Sequence, residues 1–231
     1  EGGSNMTKCF RALKILVLML LFLFFAGFIL DSTKDHAIGT LTGGEDQYLV
    51  VLKGRRWQEY GNEVIIYSLK GGRKELFRWN ASELKPWKIM TGDVDGDGIE
   101  EIALGVYKES PLHQVMAKRP FIYSFDGEKL LPFWRGSRLS KPFDDFILYD
   151  LDGDGICEIV SSEYLEEGSM VINSYKWRGF GFEGFLQTAE LQTIKKIYAS
   201  EGELSLTGSL NNKNIKAVVR ISDDELEWRE Y

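Results

Sequence analysis

Two nonapeptides hold most of the chemistry in this 231-residue chain: Asp93-Val94-Asp95-Gly96-Asp97-Gly98-Ile99-Glu100-Glu101 and Asp150-Leu151-Asp152-Gly153-Asp154-Gly155-Ile156-Cys157-Glu158. They share acids at positions 1, 3, 5 and 9, with glycine at position 6. Calcium is a hard cation that takes six to eight oxygens from carboxylates, backbone carbonyls and water. Aspartates at alternate positions can fold their carboxylates onto one centre, and Gly98 and Gly155 permit the sharp turn that this requires. The expected ligands are Asp93, Asp95, Asp97, the Ile99 carbonyl and Glu101 in the first loop. In the second they are Asp150, Asp152, Asp154, the Ile156 carbonyl and Glu158. Two calcium sites follow. An Asp-Gly pair is also a common hairpin turn, but two copies of equal length between strand-like runs are unlike chance. An EF-hand would need a bidentate Glu at position 12 and flanking helices. Position 12 is Leu104 in one loop and Ser161 in the other.

Little else in the chain suggests catalysis. The histidines are His36 and His113, and no Ser–His–Asp set, zinc cluster or phosphate-binding glycine loop accompanies them. Asp144, Asp145, Glu163, Glu166 and Glu167 could supply the carboxylate pair of a glycosidase, yet they sit in turns and near the acidic loops, where a solvated face is the simpler account. Trp57, Trp87, Trp177, Phe180 and Phe182 are candidates for a sugar- or protein-binding surface. In the run Trp177-Arg178-Gly179-Phe180-Gly181-Phe182 the alternation of glycine with rings predicts exposed aromatics. Cys157 reads as a buried packing residue, with a free thiol as the alternative.

The loops need strands to hold them. From about residue 40 the sequence consists of short apolar runs bounded by Gly, Asp and Asn, the signature of strands and hairpins. One hairpin pattern recurs four times, at Val64–Trp79, Phe121–Trp134, Val171–Phe185 and Val218–Trp228. Ser68, Ser124, Ser174 and Ser222 mark it at nearly even separations. A further strand pair precedes each hairpin, and in the two central units the acidic loop joins that pair. Four strands per repeat of about 50 residues is the spacing of propeller blades; a β-sandwich of repeated hairpins is the alternative. Helical signals after Leu30 amount to a turn at Ser82-Glu83-Leu84 and another within 188–193.

The loop Asp-x-Asp-Gly-Asp-Gly-x-x-Glu between two strands, repeated per unit, resembles the FG-GAP or VCBS repeats of integrin-α-like β-propellers. The resemblance implies that each loop joins neighbouring strands of a blade and holds calcium at its edge, with the ligand roles just given. It covers the two central units. The Phe-Gly and Gly-Ala-Pro elements that name the repeat are not evident, and the chain has room for four blades where the family usually has about seven. The implied fold is all-β, a small propeller-like array of about four four-stranded repeats, either a closed ring or an open arc completed by a partner.

Composition frames the rest. Apolar residues make up 44% and aromatics 13% of the chain, enough for a packed, strand-rich core. Net charge is −7; the stretch up to Leu30 holds three bases and one acid, which leaves 25 bases against 34 acids, or −9, for the remainder. A domain this acidic is a poor nucleic-acid binder. Ile15 to Leu30 is an unbroken apolar run, and Ala12 and Leu13 extend it. A bilayer span needs roughly 17–25 apolar residues. The run is bulky to its end, with no small-residue cleavage site, so it reads as a transmembrane helix rather than a signal peptide. Lys8, Arg11 and Lys14 precede it, which places the N-terminus in the cytoplasm. The expected organisation is a cytoplasmic tail at 1–11, its residues 1–5 an appended leader. A transmembrane anchor at 12–30, a linker at 31–39 and an extracytoplasmic domain at 40–231 follow. The expected role is a membrane-anchored module that binds protein or glycan, or a scaffold subunit of a membrane complex. A surface enzyme, or accessory subunit of one, acting on polysaccharide or lipid is the alternative.

Overall fold

The computed structural model describes residues 31–136, 138–200 and 202–231. The tail at 1–11 and the anchor at 12–30 lie outside the described residues. Among the described residues no helix is long and apolar enough to cross a membrane.

The described chain is all-β, with a single 3-10 turn at Ser82–Leu84. Four antiparallel sheets of four strands follow one another, each a meander in chain order. The first holds β1 (Asp31–Gly39), β2 (Tyr48–Arg55), β3 (Glu63–Ser68) and β4 (Lys74–Asn80). The second holds β5 (Lys88–Gly92), β6 (Glu101–Ser110), β7 (His113–Phe125) and β8 (Leu130–Arg135). The third holds β9 (Phe143–Tyr149), β10 (Glu158–Tyr164), β11 (Met170–Trp177) and β12 (Phe182–Gln187). The fourth holds β13 (Thr193–Ser200), β14 (Glu203–Leu210), β15 (Lys213–Ser222) and β16 (Glu225–Glu230).

The segment 31–39, expected as a linker, is β1: it pairs with β2 from Asp31↔Arg55 to Gly39↔Tyr48. The first sheet therefore takes in 31–39. Its sequence, DSTKDHAIG, hides the strand because Ala37 and Ile38 are its apolar side chains, and Ile38 is exposed. Backbone pairing and packing beside β5 hold it in place.

The sheets stack face to face. β1 packs beside β5, β5 beside β9 and β9 beside β13, so the first strand of each sheet lines the series. Leu52, Ile66, Leu104 and Phe121 fill the space between the first and second sheets. Ala103, Ile122, Phe146 and Ile159 lie between the second and third. Val160, Ile172, Leu206 and Ala217 lie between the third and fourth. Strand alternation produces this division. In β6, Ile102, Leu104 and Val106 face one way and Ala103 the other; in β10, Ile159 and Val160 part in the same manner. A strand covered on both faces reads as a continuous apolar run, as 102–106 and 159–160 do. Each fully buried aliphatic side chain is worth about 1.5–3 kcal/mol over exposure.

Turn residues fit their turns. Asn211 and Asn212 take φ of 50° and 62°, and Asp223 and Asp224 take 50° and 63°, as two-residue type I′ hairpins demand. These are the connections β14–β15 and β15–β16.

Candidate metal centres

The acidic loops connect the first and second strands of the two central sheets, β5 to β6 and β9 to β10. Each is wound around its leading aspartate. Asp93 Oδ1 accepts the amides of Asp95 and Gly96 at 3.2 and 2.7 Å, and its Oδ2 accepts that of Gly98 at 2.8 Å. Asp150 does the same with Gly153 and Gly155 at 2.8 and 3.0 Å. The fifth-position aspartates each take the amide two residues on, Asp97 from Ile99 at 2.8 Å and Asp154 from Ile156 at 2.9 Å. Gly98 and Gly155 have φ of 83° and 89°, a backbone region costly to other residues.

The closing glutamates come from the first residue of β6 and of β10. They are 3% and 1% exposed, and each accepts the amide of the loop's second residue: Val94 to Glu101 Oε2 at 3.1 Å, Leu151 to Glu158 Oε2 at 2.8 Å. Asp93, Asp95 and Glu101 offer carboxylate oxygens all within 4.8 Å of one another, and so do Asp150, Asp152 and Glu158. Asp97 and Asp154, expected as ligands, stand outside these triads. Ile99 and Ile156 lie in the loops with half-buried side chains.

This donor set fits a hard divalent ion. The oxygens are all carboxylate, and one is buried without a hydrogen bond: Glu158 Oε1 accepts none of suitable geometry, although Lys176 Nζ stands 3.3 Å away. Burial, with the carboxylates of Asp95, Asp97 and Asp93, pushes the Glu101 carboxyl up to about 7, against the pull of the Val94 amide. Calcium would be held by the triads, where it would neutralise carboxylates that otherwise repel.

Among the described residues an ammonium enters the second loop and not the first. Lys176, near the end of β11, reaches into the second loop, with Nζ at 2.5 Å from Asp152 Oδ2 and 2.9 Å from Asp154 Oδ2. Burial opposes its charge, but these carboxylates and Glu158 outweigh it and hold the ammonium above its usual range. The Lys176 ammonium and the Ile156 amide hold Asp154 below the usual carboxylate range. In the first loop burial, with the Asp97 and Asp93 charges, raises Asp95 instead. Sequence reasoning missed Lys176 because its place opposite the loop depends on the β10–β11 register.

The first sheet has a related loop, and the sequence places a shorter counterpart of the central units around Gly43 to Lys53. Thr40 to Gln47 joins β1 to β2 where the acidic loops stand, and Leu41 is buried there as Val94 and Leu151 are. The Glu100 amide donates to the Thr40 carbonyl at 2.9 Å, just as the Cys157 amide donates to the Asp93 carbonyl at 2.7 Å. This loop is a counterpart without the Asp-x-Asp-Gly-Asp-Gly spacing, although it carries Glu45 and Asp46 beside the Gly43-Gly44 turn. Cys157 itself packs against Gly92, and burial pushes its thiol up to about 12.

The remaining candidate acids form no further cluster among the described residues. Asp145 pairs with Lys88 at 2.6 Å and Asp144 with Lys118 at 2.7 Å. Glu163 is fully buried, accepting from Ser161, Tyr175 and Asn173 at 2.8, 2.6 and 2.9 Å. Glu166 and Glu167 are exposed in the β10–β11 turn. Phe182 packs between Trp134 and Trp177, with ring centroids 5.0 and 5.3 Å away, and Trp87 meets Phe146 edge-on. Trp57 and Phe180 are exposed, by 53% and 91%. Open grooves of about 630, 580 and 480 Å³ lie elsewhere, lined by residues such as Trp228, Trp57 and Tyr164, and no ligand of the acidic loops borders them.

No protein-family model matches the chain. No curated protein matches it either. Among solved structures it is similar to a Bifidobacterium bifidum s17 protein assigned as an exo-beta-1,3-galactanase, at 9% identity and a TM-score of 0.38, over 84% of this chain and 90% of that one. A TM-score of that size carries no argument about this chain.

Proposed function

We propose that this chain is a calcium-stiffened, propeller-like binding module, carried outside the membrane on an N-terminal anchor. It engages a protein or glycan there, or completes a larger membrane complex. The observation that carries the reading is the convergence of Asp93, Asp95 and Glu101, and of Asp150, Asp152 and Glu158, at equivalent points of adjacent sheets. Four meandering sheets stacked in chain order, first strand beside first strand, support the FG-GAP or VCBS resemblance. The apolar run Ile15 to Leu30 behind Lys8, Arg11 and Lys14 supports the anchor.

Calcium in such a site acts on structure. It neutralises the carboxylates of a tight turn, and the turn fixes the register of the two strands that leave it. A ligand that binds only the folded form adds RT ln(1 + [L]/Kd), about 2.7 kcal/mol at a hundredfold excess over Kd. Extracellular calcium modules bind at roughly 10⁻⁴–10⁻³ M. Calorimetry of the full chain in detergent should show calcium binding in that range, and chelator should lower its melting temperature. A melting temperature indifferent to chelator, with no binding heat, would sink the reading.

A further inference from the structure

The two acidic loops are near-copies in sequence, apart from Glu100 against Cys157 at position 8, and among the described residues a lysine enters the second loop and not the first. The difference follows from register. Ile102, directly after the closing glutamate of the first loop, pairs with Tyr123 of β7; Ile159, directly after that of the second, pairs with Tyr175 of β11. The next residue along the third strand is Ser124 in one sheet and Lys176 in the other. A serine side chain is too short to reach a loop across the strand pair. The lysine reaches Asp152, Asp154 and Glu158 at 2.5, 2.9 and 3.3 Å. Its stem is packed, with 15% of the side chain exposed, and its ammonium lies 4.8 Å from the Phe185 ring centroid.

An ammonium so placed and a metal ion exclude each other. Calcium needs oxygens at about 2.3–2.6 Å around itself, and Asp152 and Glu158 belong both to the triad and to the lysine's contacts. Glu158 Oε1 is buried, and the Lys176 ammonium 3.3 Å away is the cation it meets. Among the described residues no lysine pairs with the carboxylates of the first loop. Burial and the neighbouring charges raise Glu101, whereas burial raises Glu158 against the pull of Lys176.

We propose that Lys176 is the resident cation of the second acidic loop, so that the domain binds calcium tightly at Asp93–Glu101 and, at Asp150–Glu158, only after displacing the lysine. The inference rests on the calcium reading above and replaces two equal sites with unequal ones. The second loop is held shut by a tethered charge whose local concentration does not vary. The first depends on the calcium around it. The domain thus answers calcium at one sheet while its neighbour stays folded without it.

The test is calcium calorimetry, paired with terbium luminescence sensitised by the domain's own aromatics, on the full chain in detergent. The parent is compared with Lys176→Met, which keeps the stem and removes the charge, and with Lys176→Gln should the Met variant fold poorly. The parent should show one site, with a second at least about tenfold weaker, a difference of about 1.4 kcal/mol. The variant should show two sites of similar affinity, and Asp152→Asn added to it should abolish the gained one. In chelator the variant should melt below the parent, and calcium should close the gap. Two equal sites in the parent, or no gained site in the variant, would overturn the inference alone. No calcium binding by either protein would overturn the calcium reading and the inference together.

Discussion

The backbone amide of Cys157 donates to the carbonyl of Asp93 at 2.7 Å, so the second acidic loop hangs from the leading residue of the first. Ile156 adds a packed contact: a methyl group on Gly96 would stand 2.8 Å from its Cδ1. The loops are therefore mechanically joined, although each belongs to its own sheet.

That joint predicts transmitted protection. With calcium at a hundredfold excess over Kd, hydrogen exchange of the Cys157 amide should slow by up to about a hundredfold, the equivalent of about 2.7 kcal/mol. The slowing should persist in Asp152→Asn, which cripples the second loop, and vanish in Asp95→Asn, which cripples the first. Slowing that follows Asp152 instead would show the loops to be independent.

The raised carboxyl of Glu101 predicts a pH dependence of the metal-free domain. Its folded value, about 7, lies above the ordinary carboxylate value of 4.5. The folded state thus binds more protons than the unfolded one between these values, and stability falls as pH rises through that window. In chelator, then, the parent should lose stability between pH 4.5 and 7 relative to Glu101→Gln, which cannot titrate. Above that window the difference should be constant. Saturating calcium should reduce it, because a bound cation favours the ionised carboxylate. Urea melts of both proteins across this range would measure it; parallel curves would count against the assignment.

Glu163 offers a test of the fold away from the metal centres. Its carboxylate is sealed between β10 and β11 and receives three hydrogen bonds, from Ser161 and Tyr175 to one oxygen and from Asn173 to the other. Ser140, in the connection before β9, donates its amide to the Tyr175 hydroxyl at 3.0 Å, which ties that connection to the same network. Glu163→Gln puts an amide donor where an acceptor is needed and should cost about 1–3 kcal/mol in urea unfolding. The cost should be the same in calcium and in chelator. A calcium-dependent cost would place Glu163 in the metal chemistry.

Spacing within a nonapeptide is a local property, so the chain's own order of residues pointed to the carboxylates that gather in each loop, Asp93, Asp95 and Glu101, and Asp150, Asp152 and Glu158; Asp97 and Asp154, expected with them, stand outside these groups. That order also determined the all-β character and the four-unit repeat, since strand periodicity and turn residues are local as well. Tertiary structure decided the rest. β1 is a strand by virtue of its pairing with β2, not of any pattern in DSTKDHAIG. Trp177 and Phe182, expected as exposed rings, are packed, whereas Phe180 between them is not, because Phe133 and Trp134 of the preceding sheet reach the outer two. Lys176 occupies the second acidic loop because the β10–β11 register sets it beside Glu158, a residue on a different strand and distant along the chain. Register between strands is a non-local quantity, and a slip by a single position would have turned that ammonium to the opposite face.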